Sequence, residues 1–141
     1  MTRSFSINPI GVIHKDDGGA RIEVFDAYVD GLLGLEGFSH IHVLYWFDQN
    51  DAPEKRKILQ VHPRKDPRNP LTGVFATHSP RRPNLIALTR CKITAIADNI
   101  ITIEDIDAYD GSPVIDIKCY IPHEDEDVRL PDWVGRETED S

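Results

Sequence analysis

Short apolar runs separated by turn chemistry limit what this chain can become. Residues 5–12, 22–24, 40–47, 73–77, 86–96, 100–106 and 113–121 are each short and rich in Val, Ile, Phe and Tyr, the composition of strands. Asp98-Asn99 lies between two such runs as a hairpin turn. Asp110-Gly111 marks another turn, closed by Pro113 at a strand start. Helical signals are confined to a turn or two over residues 28–33 and 54–59. Many strands and few short helices imply a mostly β fold, a small single-domain barrel or sandwich.

The 141 residues suffice for one domain that buries roughly two-thirds of its unfolded surface. Residues 1–122 read as that domain, and residues 123–141 as an acidic, Pro-containing, weakly apolar tail. Residues 48–72 form a long polar loop, a length usually tied to function. No apolar run is long enough to span a membrane, and the first residues lack the apolar core of a signal peptide. Cys91 and Cys119 sit inside strand-like segments and form no C-x-x-C pair, so they read as buried, reduced thiols of a cytoplasmic protein.

Charge is unevenly laid out. The net charge is −8, yet residues 55–92 hold ten Lys or Arg against one acid, Asp66. A basic block in an acidic chain is a candidate phosphate-facing surface, because the acids elsewhere repel nucleic acid from the other faces.

Within that block, residues 73–88 run from a short apolar strand through Ser79-Pro80 and Arg82-Pro83 into another strand. The prolines fix φ and bias the residues before them to extended backbone. The stiff loop carries His78, Ser79, Arg81, Arg82 and Asn84, a set of convergent polar groups suited to a ligand. Gly31-Leu-Leu-Gly-Leu-Glu-Gly37 has the wrong spacing for a dinucleotide fingerprint, and no P-loop, H-E-x-x-H or G-x-S-x-G occurs. His40 and His42 alternate along a strand and share a face, but no third ligand has recognisable spacing, so no metal is expected.

Four segments in register carry a resemblance. Pro9-Ile-Gly-Val-Ile13, Gly34-Leu-Glu-Gly-Phe-Ser-His-Ile41, the 73–88 loop and Asp110-Gly-Ser-Pro-Val-Ile-Asp-Ile-Lys-Cys-Tyr-Ile-Pro122 together resemble the TsaA-like family, the TrmO-type tRNA methyltransferases, in its short form. The resemblance implies a small β-barrel, with S-adenosylmethionine bound near the interface of a homodimer. The implied reaction methylates N6 of threonylcarbamoyl-adenosine beside the anticodon. The implied partner is a tRNA anticodon stem-loop, not DNA or a membrane. Alternatives are a non-catalytic nucleoside- or RNA-binding barrel and a methyltransferase for another small acceptor. The chain departs from the family pattern where His78 replaces Arg, Leu85 replaces Pro, Ala87 replaces Gly and Cys119 replaces Pro.

The carbamoylated N6 is a poor nucleophile, so a base that removes its proton is expected, with Asp116 and His40 as candidates. On an unbroken strand Asp116 shares a face with Val114 and Lys118. Arg82, then Arg64, are the candidates to grip the threonyl carboxylate, with Arg81 and Lys118 as further substrate contacts. The resemblance implies cofactor contacts from Phe38, Phe75, Ala76, Thr77, His78, Ser79, Asn84, Asp110, Gly111 and Pro113.

Overall fold

The structure, a computed structural model, describes residues 2–135. Its strands in chain order are β1 (Gly11–Asp16), β2 (Gly19–Val24), β3 (His40–Trp46), β4 (Gln60–Val61), β5 (Thr72–Gly73), β6 (Ile86–Ala97), β7 (Ile100–Ile103) and β8 (Pro113–Cys119). The chain divides into two compact units, one of residues up to Gln49 with Ile86–Tyr120, the other of Asn50–Leu85 with residues from Ile121 on.

In the first unit six strands close an antiparallel barrel in the order β1-β2-β7-β6-β3-β8, the barrel expected from the sequence. Two-residue loops make its tight hairpins. Asp17-Gly18 joins β1 to β2, and Asp98-Asn99 joins β6 to β7 with Asp98 at φ 54°. Asn99 bonds β2 twice more, its side-chain amide donating to Val24 O and its carbonyl accepting from Val24 N. Strand alternation turns Ile41, Val43 and Tyr45 of β3 inward and leaves His40, His42, Leu44 and Trp46 half-buried. With Ile13, Ile22, Ile101, Ile103 and Val114 they form the core. Tyr45 keeps its hydroxyl satisfied there, donating to Asp107 O at 2.6 Å, and burial pushes its phenol up.

Three expected strands need correction. The run at 5–12 becomes a strand only from Gly11, because Pro9 has no amide to give to a ladder; β1 then extends to its hairpin at Asp16. The run at 100–106 ends as a strand at Ile103. The run at 73–77 pairs only through Thr72 and Gly73 and continues as a 3-10 turn, Val74–Ala76. Thr77 Oγ1 donates back to Val74 O at 2.8 Å and closes that turn, competing with any ladder. The helical signals resolve as a 3-10 segment, Asp26–Leu32, and a one-turn helix, Pro53–Arg56.

The second unit gives the expected long loop a scaffold of its own. β4 and β5 pair around residues 62–71, and Val74 and Leu85 are buried. Buried Asn69 donates to Pro63 O, while its own carbonyl contacts His62 Nδ1 at 2.9 Å. These bonds brace a turn in which Arg64 and Lys65 both hold left-handed backbone, at φ 59° and 56°. Non-glycine residues pay for such backbone with about 1–3 kcal/mol each and persist only when their surroundings over-determine them. Among the described residues, no helix is long and apolar enough to cross a membrane.

Candidate functional site

The barrel unit carries a groove of about 640 Å³. One wall is the segment between β2 and β3. Its glycines, Gly31, Gly34 and Gly37, disfavour a regular helix, so two short 3-10 turns form, Asp26–Leu32 and Leu35–Gly37, with Gly34 between them at φ 89°. Tyr28, Leu33 and Phe38 on this wall stay exposed, Leu33 to 93%. The opposite wall is β8, which contributes Asp116, Ile117 and Cys119. The lining is apolar and aromatic, with Asp116 as its one carboxylate.

A β-bulge brings Asp116 to this position. Tyr45 pairs with Val114, but Leu44 pairs with Asp116, so Ile115 is the extra residue on β8. Beyond the bulge the parity changes: Ile117 and Cys119 pair with inward-facing Val43 and Ile41, and Asp116 and Lys118 are exposed. Asp116 therefore shares a face with Lys118 but not with buried Val114, a correction to the unbroken-strand expectation. Its Oδ1 accepts from the Ile117 amide at 2.9 Å.

The expected site residues separate by unit. In the barrel unit the groove unites Phe38 with Asp116. His40 is not among its lining; it contacts Ser39 Oγ at 2.7 Å and the ring of Tyr120. Lys118 lies opposite His42 on β3. Asp110, Gly111 and Pro113 are engaged with β1 instead of the groove: Asp110 Oδ1 accepts from Lys15 N, Gly111 N donates to Ile13 O, and Pro113 pairs with Val12.

In the second unit the proline-rich loop is braced from within. Arg82 Nη1 donates to three carbonyls, Val74 O at 3.2 Å, Thr77 O at 3.2 Å and Ser79 O at 3.1 Å. Ser79 N donates to Thr77 Oγ1 and Arg81 N to Ser79 Oγ. These bonds hold exposed Phe75, Ala76, His78, Arg81 and Asn84 on an ordered loop. Exposed Arg64 lies on the strained turn.

Sequence reasoning missed Tyr28, Gly31, the leucines from 32 to 35, and Cys119. The signal was the Gly-x-x-Gly-x-x-Gly spacing of residues 31–37 with leucines between, which marks a groove wall as well as a failed nucleotide motif. Cys91 is buried, which pushes its thiol up to about 11, whereas Cys119 is only half-buried. Among the described residues no three His, Cys, Asp or Glu side chains gather as a metal-binding group.

Comparison with known proteins gives this arrangement its relatives. The family model described as the tRNA-methyltransferase O N-terminal domain matches residues 4–126. A probable S-adenosyl-L-methionine-binding protein of Methanocaldococcus jannaschii is 50% identical over 116 residues, covering 82% of this chain and 92% of the relative. The human tRNA (adenine(37)-N6)-methyltransferase is 39% identical over 105 residues, covering 74% of this chain but 23% of the human protein. A crystal structure of TrmO from P. aeruginosa superposes with a TM-score of 0.70 at 28% identity, over 94% of this chain and 63% of that one.

Proposed function

This chain belongs to the tRNA-methyltransferase O N-terminal domain family, and from that premise we propose that it is an S-adenosylmethionine-dependent enzyme that methylates N6 of threonylcarbamoyl-adenosine beside the tRNA anticodon. The observation that carries the reading is the groove. At about 640 Å³ it falls within the size range of small-molecule sites, roughly 300–1,000 Å³. Its apolar walls suit an adenosine, and Asp116 with the rings of Tyr28 and Phe38 suits a sulfonium cation. The residues present thus fit the cofactor, which when bound supplies a methyl group on a positively charged sulfur.

Asp116 is assigned as the general base. Its carboxylate would take the N6 proton as that nitrogen gains the methyl group and the methyl–sulfur bond breaks to leave the neutral thioether of S-adenosylhomocysteine, and the carboxyl would later return the proton to water. Such proton transfer contributes roughly 10²–10⁴-fold to rate. The rest of the acceleration comes from in-line positioning and exclusion of water by Leu32, Leu35 and Phe38. In the second unit, Arg64 and Arg81 are assigned to tRNA phosphates, and the braced loop of residues 75–84 to recognition of the tRNA. Arg82 is a positioning residue that acts through this loop. The exposed Tyr28, Leu33 and Phe38 support a homodimer, because clustered apolar surface marks interfaces; the cytoplasm, where tRNA is modified, is the assigned compartment.

Calorimetric titration with S-adenosylhomocysteine tests the groove, and methyl transfer to tRNA with and without threonylcarbamoyl groups tests the acceptor. Micromolar binding and threonylcarbamoyl-dependent transfer are expected. Asp116→Asn should lower turnover by about 10²–10⁴-fold and weaken S-adenosylmethionine more than S-adenosylhomocysteine, whose thioether sulfur is neutral. No binding of either ligand by the full chain would overturn the reading.

A further inference from the structure

A second polar cluster lies outside the groove, on β6, β3 and β8. Cross-strand register sets it in two rows. Arg90, His42 and Lys118 form one; Lys92 and His40 form the other, completed by Tyr120, whose amide donates to His40 O at 3.0 Å. All six are exposed or half-exposed, and none is an acid. Two acids border the cluster, Asp116 on β8 opposite Leu44 and exposed Glu104, whose amide donates to Lys92 O at 2.9 Å.

Tyr120 organises the cluster. Arg90 Cζ lies 5.1 Å from its ring centroid, and Arg90 Nη1 donates to the phenol oxygen at 3.3 Å. His42 meets the same ring edge-on at 5.2 Å, and His40 at 6.1 Å. A guanidinium seated on an aromatic face has lost part of its rotamer freedom before any ligand arrives, so less is lost on binding. Strand spacing makes each row about 10 Å wide and separates the rows by about 7 Å. Nucleic-acid duplexes carry one charge per ~1.7 Å of axis, so such a face meets several phosphates at once. In a chain of net charge −8, a face that gathers Arg90, Lys92 and Lys118, with Asp116 and Glu104 only at its borders, draws anions locally.

We propose that this face docks the sugar-phosphate backbone of the tRNA, a role that rests on the tRNA methyltransferase reading above. Arg90 and Lys92 contact phosphates, and Tyr120 holds Arg90 in its binding pose.

The test is fluorescence anisotropy of a labelled anticodon stem-loop RNA with the full chain and its Arg90→Ala/Lys92→Ala variant across a salt series, with S-adenosylhomocysteine calorimetry on both. The expected result is RNA binding weakened at least tenfold, a salt slope reduced by about two, and unchanged cofactor affinity. Tyr120→Phe, which keeps the ring under Arg90, should lose less than threefold. Equal RNA affinity in parent and double variant would overturn the proposal and leave the methyltransferase reading standing. Loss of dimer in sedimentation with RNA affinity unchanged would overturn it in favour of a protein interface. A parent that binds S-adenosylhomocysteine but no stem-loop would overturn both the docking face and the tRNA acceptor.

Discussion

Replacing Gly11 by Ala tests the barrel at its tightest backbone approach. A Cβ on Gly11 would lie 2.4 Å from Glu23 O and 3.3 Å from Glu23 C and Val24 Cα, all backbone atoms of β2. Ordinary contact begins near 3.4 Å, so β1 and β2 must part by about 1 Å at the Gly11–Val24 pair. No side chain is available to swing aside. Overpacking of this kind costs about 1–3 kcal/mol, and a disturbed ladder bond adds ~1 kcal/mol. Against that, Ala restricts the unfolded chain and recovers about 0.4–1 kcal/mol. The net loss is about 2–3 kcal/mol, a fall in Tm of ~6–15 °C for a chain of this size. Far-UV circular dichroism melts, with urea midpoints, read it directly. Gly37→Ala is the control, since its Cβ would meet no atom within 4 Å, and it should melt within about 2 °C of the parent. A Gly11→Ala protein with the parent's Tm would refute the close approach.

Arg82→Ala removes the donor shared by three carbonyls and should loosen the proline-rich loop; at about 1.5–3 kcal/mol, thermolysin cleavage within residues 75–84, followed by mass spectrometry, accelerates roughly tenfold or more, and an unchanged rate would show that the prolines alone hold the loop. At pH 8 about a thousandth of Cys91 is thiolate, so iodoacetamide should modify Cys119 first, and S-adenosylhomocysteine should slow that reaction; Cys91 reacting as fast would contradict its burial. Because burial raises the Cys91 thiol from 9.0 to about 11, its neutral form contributes stability that is complete below about pH 9 and is lost as pH rises through 11. Urea unfolding should show a loss of ~2–3 kcal/mol over that window, smaller in Cys91→Ala, and an equal loss in the variant would refute its assignment to Cys91.

Elements whose pattern was local were legible in the sequence. β3 and β6 follow their apolar alternation almost to the residue, and Asp98-Asn99 closes its hairpin as its composition predicts. The errors have tertiary or side-chain causes. Pro9 delays β1, and Thr77 Oγ1 competes for the Val74 carbonyl. The bulge at Ile115 inverts the faces of β8, which no period-2 count can anticipate because alternation carries no mark of an extra residue. The same limit applies to the site. Asp116 was legible as a carboxylate after a turn, but Tyr28 and Cys119 join it only through barrel closure. Arg82 looked like a ligand-gripping cation because sequence cannot tell a guanidinium aimed at solvent from one aimed at its own loop.

The seam between β1 and β8 also governs when the barrel can exist. It is the shortest ladder of the barrel, pairing Gly11 with Val114 and Val12 with Pro113, and it joins segments about a hundred residues apart in the chain. During synthesis β1 leaves the ribosome early and must wait with one edge unpaired until β8 follows. Late, non-local closure of this sort places folding among the slower barrel topologies, on the millisecond-to-second scale. It also makes the seam the natural first point of opening in the finished protein, where amide exchange at Ile13 and Gly111 should outpace that along the long β3–β6 ladder.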